Sequence, residues 1–141
     1  MTETLPLSGK TGIVTGLANA DSIAFGCARA LHRAGADLIL SYGHPKGEPH
    51  VRPLAEELGG PPLLLCDVRD DAQTEALFSA ASERWGKVDF LIHSIAFAPR
   101  DDLHGRVVDS SRDGFLLAMD ISCHSFLRMA RLAEPLMHDG G

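Results

Sequence analysis

The sequence is poor in the residues that build disulfide frameworks and metal sites, and it has no long apolar run. It contains three cysteines in 141 residues, Cys27, Cys66 and Cys123, without a Cys-x-x-Cys pair. An odd number of widely spaced cysteines predicts reduced thiols and no zinc site. The first residues lack the basic and apolar regions of a signal peptide, and no apolar run approaches the roughly 18 residues of a membrane span. We therefore expect a cytoplasmic protein with no membrane partner and no bound metal.

Positive charge is also scarce, with 13 Lys and Arg against 19 Asp and Glu and a net charge of −6. Nucleic-acid binders concentrate Lys and Arg on one face, so no nucleic-acid partner is expected. A small anionic ligand fits this composition, because helix N-termini and backbone N–H groups bind anions without basic side chains. Hydrophobic residues at 45% and charged residues at 23%, with no repeat or low-complexity tract, are typical of a folded globular domain.

Apolar periodicity predicts four strands alternating with four helices. The strands are short apolar runs at residues 11–15, 37–42, 63–66 and 90–92. The helices cover residues 22–34, 51–58, 70–85 and 112–137, and Pro135 ends or kinks the last one near Glu134. Near-continuous apolar strands joined by helices form parallel sheets covered on both faces. The predicted fold class is therefore α/β, a Rossmann-like doubly wound parallel sheet.

This predicted sheet is incomplete. Four strands make about two thirds of a doubly wound domain, of which only the first half is complete, and a helix leaving the fourth strand normally leads to a fifth parallel strand. The sequence stops at Gly140 and Gly141, where that return would begin. We therefore expect a truncated chain in which the C-terminal strands are missing.

The turn after the first strand has features of a phosphate-binding turn. Gly16 follows the strand directly and would let the backbone approach a pyrophosphate, and Ser22 can cap the next helix, whose N-terminal N–H groups attract phosphate. The segment does not match the G-x-G-x-x-G pattern of dinucleotide-binding turns. An ordinary strand-to-helix connection with a serine cap therefore explains it equally well.

Two further strand ends carry polar residues at the edge where open α/β sheets bind ligands. Asp67 follows the third strand and can accept a hydrogen bond from an adenine amino group, with Val68 as a backbone contact. Capping of the helix that begins near Asp70 is an equal alternative for Asp67. His93 and Ser94 end the fourth strand, and we favour a hydrogen-bonded structural role for His93 over a catalytic one.

Several short motifs occur together along the whole chain. They are Leu7-Ser8-Gly9-Lys10, Thr15-Gly16-Leu17-Ala18-Asn19, Ser22-Ile23-Ala24, Cys66-Asp67-Val68, His93-Ser94-Ile95-Ala96-Phe97-Ala98-Pro99, Ser111-Arg112, Gly114-Phe115 and Asp120-Ile121-Ser122. This set resembles the N-terminal half of the enoyl-acyl-carrier-protein reductases of bacterial fatty-acid synthesis, a divergent branch of the short-chain dehydrogenases. The resemblance implies that residues 1–141 are the N-terminal part of a single dinucleotide-binding domain, in a family that reduces trans-2-enoyl-acyl carrier protein with NAD(P)H.

The resemblance also implies which residues contact ligands. They are Gly16, Ser22 and Ile23 at the cofactor pyrophosphate and nearby ribose, Asp67 and Val68 at the adenine, Ser94, Ile95 and Ala96 at the ribose and nicotinamide, and Ala98 at the substrate. No acidic residue follows the second strand to bind a ribose 2′-hydroxyl, so the sequence does not decide between NADH and NADPH. NADH is slightly preferred over NADPH. The implied partners are a substrate carried on acyl carrier protein and, in complete family members, further subunits of a homotetramer. We expect this chain to self-associate.

Catalytic residues are not predicted, because nothing here matches the Tyr-x6-Lys pair with which the family stabilises an enolate and fixes the nicotinamide ribose. Tyr42 and Lys46 imitate the Tyr-x3-Lys spacing of ordinary short-chain dehydrogenases, but Gly43 and Pro45 would break the helix that this spacing requires. We interpret the match as chance and expect the chain alone to be inactive. His124 is expected to be a packing residue. Another short-chain dehydrogenase/reductase and a non-catalytic nucleotide-binding module remain as alternatives.

Overall fold

Four strands and five α-helices alternate in a computed structural model that describes residues 4–141. The strands are β1 (Thr11–Leu17), β2 (Asp37–Tyr42), β3 (Leu63–Leu65) and β4 (Phe90–His93). The helices are α1 (Ile23–Arg33), α2 (Glu48–Glu57), α3 (Asp71–Trp85), α4 (Arg112–Met119) and α5 (Ser125–Ala133). A π-helical turn at Asp120–His124 joins α4 to α5. Short 3₁₀ turns span Pro45–Gly47, Arg100–Leu103, Val107–Asp109 and Glu134–Leu136.

The four strands form one parallel sheet in the order β3-β2-β1-β4. Ile13 of β1 is aligned with Ile39 of β2 on one side and with Leu91 of β4 on the other. The chain therefore runs outward from β1 to β3 and then crosses back to place β4 on the opposite side of β1. This order is that of the first half of a doubly wound sheet with the first strand of the second half added, and it confirms the predicted fold class.

Successive residues of the central strands point to opposite faces of the sheet, and each face has its own apolar core. One core contains Val14, Leu40, Phe25 and Val51, and the other contains Ile13, Ile39, Leu77 and Met129. Helices α1 and α2 thus cover one face of the sheet, and α3 and α5 cover the other. Within residues 4–141, none of the helices has the length and apolar character of a membrane span.

Helix α2 begins at Glu48 and not at the predicted Val51, and two further boundary differences bear on the site. Strand β1 continues through Gly16 to Leu17, with a shift in its register against β2 after Val14, so the prediction that Gly16 follows the strand is wrong. The predicted helix over residues 112–137 is interrupted by the π-helical turn and ends at Ala133. Its end near Glu134 is confirmed, because the 3₁₀ turn that contains Pro135 begins there.

Strand β4 lies at an edge of the sheet, and all four of its residues are only partly buried. At the start of this edge, Val88 forms a parallel bridge with Met137, and the Val88 N–H donates to the Leu136 carbonyl at 2.8 Å. The segment after α5 therefore meets the sheet beside β4, on the side where a fifth parallel strand was predicted.

Candidate functional site

A cavity of about 480 Å³ opens at the carboxyl ends of the four strands. It is lined by Gly16, Leu17, Ala18, Tyr42, Gly43, His44, Gly47, Cys66, Asp67, Val68, Arg69, Ser94, Ile95, Ala96, Phe97 and Ile121. The cavity spans the point where the strand order reverses between β1 and β4. Open α/β sheets bind ligands at this position, because the connections that leave adjacent strands in opposite directions open a crevice there.

Gly16 lies directly against the segment that follows β4 at this crevice. Its φ of 92° lies in the region that favours glycine, and a Cβ atom built on it would overlap the carbonyl oxygen of Ser94. The absence of a side chain at Gly16 is therefore required by the packing of β1 against the segment after β4. This requirement exists without any ligand.

The connection from β1 to α1 is stabilised by its own polar groups. The Ser22 hydroxyl accepts from the Phe25 N–H at 3.4 Å, which confirms the helix cap, and donates to the Asn19 carbonyl at 2.7 Å. Ser22 and Ile23 are not among the residues that line the cavity, and the Ile23 side chain is 77% exposed. The structure thus separates these two predicted site residues from the cavity wall.

Asp67 carries an ion pair at the end of β3. Its carboxylate accepts from the Arg69 guanidinium at 2.6 Å and 3.0 Å and from the Arg69 N–H at 3.0 Å. These hydrogen bonds from Arg69 hold the pKa of Asp67 below its usual value. The alternative role of Asp67 as the cap of α3 is wrong, because the Asp70 carboxylate accepts from the Gln73 N–H at 3.2 Å and caps that helix.

The backbone of this turn is held from several directions. The Asp67 N–H donates to Oε1 of Gln73 at 2.9 Å, and the Asp70 N–H donates to the Asp67 carbonyl at 2.9 Å. The Val68 carbonyl accepts from Nη2 of Arg128 at 2.8 Å. Within residues 4–141, the Val68 N–H donates to no acceptor. This amide is therefore a donor that the turn leaves available to a ligand.

His93 has a structural hydrogen bond at the end of β4, as predicted. Its Nε2 lies 2.7 Å from the Ser125 hydroxyl, whose single proton is donated to the Ile121 carbonyl at 2.6 Å. Nε2 must therefore carry a proton and donate it to Ser125. Burial lowers the pKa of His93, which favours the neutral ring. The ring also packs edge-on against Phe126, with centroids 5.5 Å apart.

The segment after β4 is fixed by a serine of the π-helical turn. The Ser122 hydroxyl accepts from the Phe97 N–H at 2.9 Å and donates to the Phe97 carbonyl at 3.1 Å. Of the residues predicted to contact ligands after β4, Ser94, Ile95 and Ala96 line the cavity, whereas Ala98 is not among its lining residues.

Tyr42 lines the cavity but is engaged elsewhere. Its hydroxyl donates to Glu48 at 3.1 Å, and burial raises the pKa of Tyr42. It ends β2, whereas Lys46 lies in a 3₁₀ turn with its N–H donating to Nδ1 of His44 at 3.1 Å. Tyr42 and Lys46 therefore do not lie on one helix, which agrees with the interpretation of their Tyr-x3-Lys spacing as chance. No group of three His, Cys, Asp or Glu residues is placed to hold a metal within the described chain.

Sequence reasoning missed two arginines at this site, Arg69 and Arg128. Arg69 stands two residues after Asp67, and this spacing is a signal for a local ion pair. Arg128 is separated from Val68 by 60 positions, and nothing in the linear pattern connects them. His124, expected to pack, is exposed and accepts from Arg128 at 2.8 Å through Nδ1.

Comparisons with known proteins match most of the chain to one family. The family model described as enoyl-(acyl carrier protein) reductase matches residues 16–141. The chain is 47% identical over 135 residues to enoyl-[acyl-carrier-protein] reductase [NADH] 1 of Rhizobium meliloti, covering 96% of this chain and 50% of that protein. A Bacillus cereus enoyl-[acyl-carrier-protein] reductase [NADH] is 48% identical over 137 residues, covering 96% of this chain and 54% of that protein.

Solved structures agree with these sequence relatives. An Anaplasma phagocytophilum reductase in complex with NAD superposes with a TM-score of 0.89 at 40% identity, covering 96% of this chain and 52% of that one. A Bacillus cereus enoyl-acyl carrier protein reductase with NADP⁺ and indole naphthyridinone superposes with a TM-score of 0.89 at 47% identity. The match covers 95% of this chain and 53% of that one. The chain spans about half the length of the curated relatives it matches.

Proposed function

The chain belongs to the enoyl-acyl-carrier-protein reductase family, and from this premise we propose that it binds NADH in the cavity at the carboxyl edge of its sheet. The reaction served would be reduction of the trans-2 double bond of an acyl thioester on acyl carrier protein. The observation that carries the proposal is that one cavity gathers, from three separate strand ends, residues that the family resemblance assigns to a dinucleotide. They are Gly16, Asp67, Val68, Ser94, Ile95 and Ala96.

The turn after β3 offers the polar groups that adenine needs. Adenine donates from its exocyclic amino group and accepts at the neighbouring ring nitrogen, and Asp67 and the Val68 N–H supply the matching acceptor and donor. Arg69 already occupies the Asp67 carboxylate, so binding would exchange part of this ion pair for the adenine amino group. Because the pair is exposed, losing it costs at most about 1 kcal/mol.

The nicotinamide end would lie beside Ser94, Ile95 and Ala96, where NADH would supply a hydride. None of these 141 residues matches the tyrosine that the family resemblance associates with the enolate. Tyr42 is held by Glu48, and His93 donates to Ser125, so neither is arranged to donate to a substrate oxygen. The chain is therefore proposed to bind and orient the cofactor, without supplying the enolate donor.

The remaining assignments follow the family. Ala98 is proposed to contact the acyl substrate delivered by acyl carrier protein, and Ser22 and Ile23 to approach the pyrophosphate and ribose. We place NADH before NADPH because curated relatives are named as NADH enzymes. NADPH is the alternative cofactor to test, because the Bacillus cereus structure contains NADP⁺. The protein is proposed to act in the cytoplasm as a homo-oligomer.

The cofactor proposal is tested by calorimetric titration of the chain with NADH and NADPH. We expect saturable NADH binding that is at least about tenfold weaker in Gly43→Trp, a change of about 1.4 kcal/mol or more in binding free energy. Gly43 lines the cavity, its φ is not positive and a Cβ there meets nothing closer than 3.9 Å, so its backbone accepts a side chain whose indole would take up cavity volume. Glu56→Trp on the exposed surface of α2 is the control. If Gly43→Trp and Glu56→Trp bind NADH with equal affinity, the cavity is not the NADH site.

The proposed division of roles predicts no turnover by these 141 residues. One oriented donor to a developing oxyanion supplies about 2.7–4 kcal/mol in the enzymes where it has been removed, and Tyr42 and His93 of the described residues are engaged elsewhere. NADH absorbance in the presence of crotonyl thioester should fall no faster than in a blank without protein. Oxidation above the blank that disappears in Gly43→Trp would contradict this assignment.

A further inference from the structure

Arg128 of α5 joins three separate groups. Its Nη1 donates to Asp120 at 2.6 Å and to Nδ1 of His124 at 2.8 Å, and its Nη2 donates to the Val68 carbonyl at 2.8 Å. The first two partners belong to the π-helical turn, and the third belongs to the turn after β3. The Arg128 side chain is 25% exposed, so these hydrogen bonds are partly shielded from water.

The contact with Val68 acts on the orientation of the turn. The peptide group between Val68 and Arg69 is fixed at both ends, because its carbonyl accepts from Arg128 and its N–H donates to Asp67. Within residues 4–141 the preceding Val68 N–H, next to Asp67 in the chain, is left without an acceptor. Without Arg128, the Val68 carbonyl would lose its partner from α5 and the peptide could rotate.

We propose that Arg128 is a positioning residue that sets the adenine specificity of the cavity. It acts through Val68, holding the turn so that the Val68 N–H and the Asp67 carboxylate present one donor and one acceptor in fixed relation. This inference rests on the proposed NADH binding, and it adds a recognition element from outside the residues that line the cavity.

The test compares NADH with reduced nicotinamide hypoxanthine dinucleotide, which replaces the adenine amino group by a carbonyl and carries a proton on the neighbouring ring nitrogen. A site with one fixed acceptor and one fixed donor should prefer NADH by about tenfold, the effect of one to two hydrogen bonds. We expect Arg128→Ala to reduce this preference to about twofold or less. Arg128→Lys can reach one acceptor and should give an intermediate preference.

Arg131→Ala is the matched control, since Arg131 is an exposed arginine of the same helix without a hydrogen bond or ion pair in residues 4–141. A purely structural role of Arg128 would weaken both dinucleotides by the same factor and leave the preference at its wild-type value, and that result overturns the inference. Failure of the wild-type chain to bind either dinucleotide would overturn the proposed function and this inference together. Wild-type preference that is lost in Arg128→Ala and kept in Arg131→Ala supports both.

Discussion

Gly16 lies where β1 and the segment after β4 run side by side, and its surroundings constrain it before any ligand arrives. A side chain at this position would overlap the Ser94 carbonyl, and the residue has a positive φ. Loss of cofactor binding in a Gly16→Val variant would therefore report damage to the fold as readily as a blocked pyrophosphate. Gly43, which lines the same cavity without a close neighbour, separates the two effects.

Replacement of Gly16 by alanine is expected to destabilise the protein. We expect the free energy of unfolding to fall by about 2–5 kcal/mol, with about 1–2 from the left-handed backbone and about 1–3 from steric overlap. Urea denaturation measures the change. Gly26→Ala is the control, because Gly26 lies in α1 with open space around its Cβ position and should gain about 0.5–1 kcal/mol. Equal midpoints for the two variants would contradict the close approach at Ser94.

At the scale of elements, apolar patterns in the sequence predicted the strands but not the π-helical turn. Apolar runs predicted all four strands, because each strand is short and flanked by turn residues. The helix over residues 112–137 was predicted as continuous, since apolar residues recur on both sides of Asp120–His124. A π-helical turn changes which direction the following residues face without a marked change of composition.

The sequence predicted those residues of the cavity that lie at strand ends, and it did not predict the residues that come from the helices. Strand ends place Gly16, Asp67 and Ser94 at the cavity, because the carboxyl ends of parallel strands meet at one edge. Arg128 could not be found this way, since its partner is 60 positions away on another element. Ile121 reaches the cavity from the π-helical turn, and a regular helix gave no reason to expect it there.

At the scale of the whole molecule, apolar side chains of α4 and α5 remain exposed. They are Phe115 at 60%, Leu116 at 54%, Met119 at 44%, Phe126 at 49% and Leu127 at 57%. They lie on the helices that follow the partly buried edge strand β4, and clusters of exposed large apolar side chains are typical of surfaces that another protein chain covers.

We predict that the chain self-associates through this apolar surface. Sedimentation velocity at increasing concentration should show dimers or larger species, and the double variant Phe115→Glu/Leu127→Glu should shift them towards monomer. Val108→Glu is the control, because Val108 is 74% exposed but lies outside α4 and α5. A compact wild-type monomer with one sharp thermal transition would contradict the prediction.

The hydrogen bonds of Ser122, Ser125 and Arg128 have a consequence for the motions of the protein. These three residues, close together in the chain, hold Phe97, His93 and Val68, which belong to different parts of the sheet edge. Proteins open locally in contiguous cooperative units. When this stretch of helix frays, all three parts lose their partners in the same event. We therefore expect these three parts of the sheet edge to open together and not independently of one another.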